Sequence, residues 1–146
     1  MKKFHYPLEK VRQWRQIQLD TEQVRLQALL AERRKIEERR EQLERDLAAS
    51  AASLQEGGPL HAEELQALNS FSLFVQDQNI RLKQLARQVG QAIDSQRDTV
   101  LAARRGVEML ERHREKRLEQ WKAEAGREQE NLVAELVVAR WKAAGR

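Results

Sequence analysis

The sequence has no cysteine, only two prolines and six glycines, and aromatic residues fill just 5% of its 146 positions. Without cysteine there is no disulfide framework and no thiolate chemistry. So few prolines and glycines leave too little turn punctuation for a sheet domain. No apolar run is long enough to cross a bilayer, so direct membrane insertion is not expected. After the opening MKK there is no apolar signal core, which gives a cytoplasmic expectation. The apolar residues suffice for a seam between helices, not for a large globular core.

What is present is Glu, Arg, Lys, Gln, Leu and Ala, with 34% of residues charged, the mixture of long helices and coiled coils. The net charge of +4 is interleaved with acid, as in ERRKIEERREQLERD. Interleaving argues against a one-sided nucleic-acid stripe. The run Arg33–Arg34–Lys35 and the pair Arg39–Arg40 stand three or four residues from Glu37, Glu38, Glu41 and Glu44. Such pairs contribute about 0.2–0.5 kcal/mol each and read as a solvated helix face.

One strong break occurs, EGGPLHAEE, with Gly57 and Gly58 before Pro59. Glycine just past a helix end followed by proline is a stop signal. The chain therefore reads as one all-α coiled-coil domain over 1–146, with helices over about 7–55 and 62–141 and a turn over 56–61. Pro7 suits a first helical turn. Gly90, Gly106 and Gly126 weaken the second helix without the polar clusters that end one, and Gly126 is the expected place for a bend.

Apolar residues recur at heptad spacing. In the first helix the series are Leu19, Leu26, Arg33, Arg40, Leu47, Leu54 and Glu22, Leu29, Ile36, Leu43, Ser50. In the second they are Leu68, Val75, Leu82, Val89, Gln96, Ala103, Leu110 and Leu65, Ser72, Asn79, Ala86, Ile93, Val100, Val107. Alternating spacings of three and four, sustained this long, are the coiled-coil signal. In an antiparallel hairpin, facing residues have numbers that add to a constant. Leu43 with Val75, Ile36 with Leu82, Leu29 with Val89, Val11 with Val107 and Leu8 with Leu110 all give 118. Leu54 with Leu65, Leu26 with Ile93 and Leu19 with Val100 give 119. Polar seam residues also meet polar or small ones: Glu22 with Gln96, Arg40 with Asn79, Arg33 with Ala86. A parallel dimer is the competing arrangement, but a glycine–proline hinge favours a hairpin. The second helix is then longer, Phe4 lies near Arg114, the aromatic cluster Phe4–Tyr6 can cover the end of the seam beside Leu110 and Arg114, and the remainder is an overhang without an intrachain partner.

Two features could carry function. The overhang bears Leu118, Trp121, Ala125, Leu132, Val133, Leu136, Val137 and Trp141, an apolar stripe that needs a cover. It either folds back, frays or dimerises in a crystal, or it docks in another protein's cavity. The second is LNSFSLFVQDQNIRL, where Phe71, Leu73 and Phe74 stand off the seam. They either widen the core near the turn or form a partner surface, aromatics being enriched at hot spots. His5, His61 and His113 are too scattered for a metal site, although His5 and His113 come close in the hairpin register. No phosphate loop, nucleophile motif or convergent carboxylate pair is present, so neither an enzyme nor a cofactor is expected.

Three stretches, Phe4-x-Tyr6-x-Leu8-x-x-Val11 with Arg15, ELQALNSFSLFVQDQNIRLKQ and REQENLVAE over Arg127–Glu135, together resemble the FliJ family of flagellar export proteins over essentially the full length. The resemblance implies a coiled-coil stalk that inserts into the ring of the export ATPase (FliI-like). It also implies contact with the export gate (FlhA-like) and with export chaperones, in the cytoplasm at the inner membrane of the flagellar base. Carried onto this sequence, Phe71, Val75, Gln78 and Leu82 fall on the gate-binding face, and Phe74, the neighbouring off-seam aromatic, is expected to join it. Phe4, Trp121, Leu132, Leu136 and Trp141 make the tip expected to face the ATPase. No nucleic-acid partner is implied. A stalk of a virulence-type secretion system and a generic coiled-coil scaffold are the alternative readings.

Overall fold

The computed structural model describes residues 2–145, and these form two α-helices, α1 (Glu9–Glu56) and α2 (Ala62–Ala144), packed against each other as a two-helix hairpin. No strand occurs among the described residues. By its contacts the chain divides into two compact units, one of Met1–Asp20 with Ala102–Arg146, the other of Thr21–Leu101. Each unit takes a part of both helices.

The hairpin turn follows from its residues. α1 ends at Glu56, and Gly58 has φ of 86°, the left-handed region that a side chain disfavours. Pro59 follows and cannot continue a helix. α2 opens with Glu63 and Glu64 in its first turn, where carboxylates complement the exposed N–H groups. It then runs unbroken through Gly90, Gly106 and Gly126.

In the unit Thr21–Leu101 the core is the expected seam. Ile36, Val89 and Ile93 are buried together, with Leu26, Leu29, Leu30, Leu82 and Ala86 packed on them. Ile93 is 1% exposed, and Leu43 and Val75 are each 2% exposed. Tyr6 apart, every buried hydrophobic residue of the described chain belongs to one of the four heptad series. The seam loosens towards the turn, where Leu65 is half exposed. Its polar layers are visible too. Gln96 bonds to Glu22 across the helices. Arg40 Nε and Asn79 Oδ1, a donor and an acceptor of one expected layer, are both buried without a hydrogen bond.

In the other unit, α1 begins at Glu9 rather than at Pro7. Residues 2–6 have no regular secondary structure and Pro7–Leu8 form a turn, closed by the Glu9 N–H on the Tyr6 carbonyl at 3.2 Å. The first intrahelical bond runs from the Arg12 N–H to the Leu8 carbonyl at 2.9 Å, so Leu8 is the capping residue and Pro7 stands just before it.

Candidate functional site

In the unit Thr21–Leu101, the candidate surface is built where α1 becomes rich in alanine and serine, over Ala48–Ser53. Short side chains there leave a groove of about 520 Å³ facing α2, lined by Ala49, Ser53, Leu54, Ala67, Leu68 and Phe71. One helical turn on, the rings of Phe71 and Phe74 stack with centroids 6.4 Å apart. Phe74 is 47% exposed and Leu73 is also exposed, while Phe71 and Gln78 are half-buried. Val75 is in the interior, and Leu82 packs on the Ile36 cluster. Of the five residues expected on a gate-binding face, Phe71, Phe74 and Gln78 thus reach the surface, while Val75 supports them from below.

The tip residues fall into two groups. Phe4 and Trp121 pack on each other with ring centroids 5.9 Å apart, and the Arg114 guanidinium lies 5.8 Å from the Phe4 ring centre. Phe4 therefore sits beside Arg114 as the register predicts, but the N-terminal residues also cover more of α2. Leu118, Trp121 and Ala125 are all half-buried. The physical reason is reach. A segment outside a helix can advance up to about 3.3 Å per residue against 1.5 Å for a helix, so five such residues can reach along as many as roughly eleven helical ones. The uncovered part of α2 begins only at Gly126, and every described residue from there on is exposed. Leu132, Leu136 and Trp141 are 59%, 68% and 76% exposed, with Val133 and Val137 beside them.

The covered part is anchored by a residue that heptad reasoning does not find. Tyr6 is 4% exposed. Its hydroxyl lies 2.7 Å from His113 Nδ1 and donates to the Leu110 carbonyl at 3.3 Å. The ring beside His113 is therefore that of Tyr6, where the hairpin register suggested His5. Glu9 accepts from Arg12 at 3.0 Å and lies 3.7 Å from Arg114 Nε. The hydrogen bond from Arg12 holds the Glu9 carboxyl below the ordinary glutamate range, and it raises Arg12 in turn. Residues 2–6 have no regular secondary structure and so no periodicity, and the only sequence signal for this clasp is the aromatic cluster before Pro7.

Among the described residues no group of three His, Asp or Glu side chains is placed to hold a metal ion. Nor is any described helix long and apolar enough to cross a membrane. No family model, no curated protein and no solved structure matches the chain.

Proposed function

We propose that the protein is a stalk-like component of a flagellar protein-export apparatus, a non-enzymatic coiled coil that docks in the ring of an export ATPase. The observation that carries this reading is the end of α2. From Gly126 to Ala144 it presents Leu132, Val133, Leu136, Val137 and Trp141 to solvent with no covering segment among the described residues. A stripe of this kind is suited to helix-in-groove recognition. The clasp at Phe4, Tyr6 and Trp121 supports it by fixing α2 immediately before the exposed stretch. The basic surplus of the chain favours an acidic ring lining and salt-dependent approach.

In the same reading, Phe71, Phe74 and Gln78 present a second surface to the export gate, and export chaperones are further partners. The working place is then the cytoplasmic face of the inner membrane at the flagellar base. The test is ATP hydrolysis by the cognate export ATPase with and without this chain. The native chain stimulates turnover, and Leu132→Asp with Leu136→Asp abolishes the effect while helix content is kept. Equal stimulation by that variant would remove the tip from the ATPase interface. Phe71→Ala with Phe74→Ala weakens gate binding alone; a loss of thermal stability with binding unchanged would return both rings to the core.

A further inference from the structure

The exposed end of α2 has a charge order that its apolar stripe does not require. Its first part carries Arg127 on the face away from the stripe and Glu128, Glu130 and Glu135 nearer it, and its last part carries Arg140 and Lys142. Glu128, Glu135 and Lys142 stand seven residues apart, so they share one edge of the stripe, while Glu130, Val133, Val137 and Arg140 share the other. In an antiparallel pair of identical helices, each edge meets the same edge of its partner, because the contact is isologous.

One register satisfies both shape and charge, the one in which facing residue numbers add to about 270. Val133 then faces Val137, Leu132 falls beside Leu136 and Ala125 beside Ala143. Glu128 meets Lys142 and Glu130 meets Arg140, each twice by symmetry. The single like-charge contact is Glu135 with its own copy, at the twofold axis. A parallel pair does worse. It offers only Glu135 with Arg140, stacks the acidic part on itself, and aligns the two helix dipoles unfavourably.

We infer that the segment Gly126–Ala144 is a self-association element, pairing antiparallel with the same segment of a second copy through Leu132, Val133, Leu136 and Val137, flanked by Glu128–Lys142 and Glu130–Arg140. The paired length is roughly 28 Å at 1.5 Å per residue. So short a coil is marginal, so the association is weak and reversible, with Kd on the order of micromolar or above. The stripe is the one given to the ATPase above, so a second copy and the ATPase occupy it in turn and not together; the inference does not rest on the export reading and is tested on the chain alone.

The experiment is sedimentation velocity of the full chain across a wide concentration range, with helix content followed by circular dichroism. The native chain passes from monomer to dimer as concentration rises. Lys142→Glu weakens the dimer about tenfold, since it reverses two symmetric pairs. Adding Glu128→Lys to that variant restores it. Leu132→Asp with Leu136→Asp abolishes it without loss of helix. Glu135→Gln strengthens it several-fold by removing the repulsion at the axis. A monomer at every concentration, or a dimer indifferent to Leu132 and Leu136, would overturn the inference. So would a dimer weakened by Glu135→Gln, the sign a parallel pair gives.

Discussion

The side-chain amide of Gln96 donates to the backbone carbonyl of Glu22 at 2.9 Å and also to the Glu22 carboxylate. The two residues are 74 positions apart, so the bonds lock one helix to the other at a single register. Glu22 is further held by Arg25 at 2.9 Å. A slip by a heptad would leave a half-buried carboxylate facing apolar side chains. Gln96→Ala is expected to lower stability by about 1–2 kcal/mol, read from urea unfolding. Replacing both partners by leucine is expected to recover most of that loss while weakening register specificity.

Tyr6 is the buried anchor of the N-terminal segment. Tyr6→Phe keeps the ring and removes the hydroxyl that meets His113 and Leu110. The expected cost is about 1 kcal/mol. It is felt locally, as faster amide hydrogen exchange over residues 2–12 with exchange at Ile36 and Ile93 unchanged. In a background retaining only Trp121, the emission shifts to the red as Phe4 leaves the ring.

The Glu9 contacts make the same segment acid-sensitive. The folded-state pKa of Glu9 lies below its unfolded value, chiefly because Arg12 donates to the carboxylate. Its contribution is therefore present above the ordinary glutamate range and is lost as pH falls through the lowered value. Titrating Trp121 emission downward should show release only in the acid range, and Glu9→Gln should flatten that step.

The glycines separate by conformation. Gly58 has positive φ, and Gly58→Ala is expected to destabilise by about 1 kcal/mol. A Cβ on Gly90 meets nothing within 4 Å, and the residue lies inside α2. Gly90→Ala is expected to stabilise by about 1 kcal/mol, and thermal unfolding of the two variants checks the opposite signs.

The helix pairing was legible because burial in a two-helix seam obeys one short rule, the alternation of three and four. Leu29, Ile36, Leu82, Val89 and Ile93 satisfy it and pack together. The polar layer of Glu22 and Gln96 was legible by the same register. The aromatic cluster Phe4–Tyr6 was legible as a cover for the seam's end beside Leu110 and Arg114, and Tyr6 and Phe4 lie there. The Phe4–Trp121 contact and the burial of Tyr6 were not, because residues 2–6 obey no helical period. For the same reason the bare part of α2 starts later than the register alone predicts. The resemblance groups Phe71, Val75, Gln78 and Leu82 on the second surface, with Phe74 joined as the neighbouring aromatic. The heptad series already places Val75 and Leu82 in the seam and Phe71 and Phe74 off it, and Val75 is buried while Phe74 is exposed.

The antiparallel seam underlies both candidate surfaces, and a single pair of residues tests it. The chain has no cysteine, so Ile36→Cys with Leu82→Cys introduces the only thiols. Oxidation of dilute protein, followed by non-reducing electrophoresis and mass spectrometry, gives the readout. An internal disulfide joining positions 36 and 82 within a monomer is the predicted product. A bridge that forms only between two chains, joining like positions, would mean parallel association and contradict the hairpin.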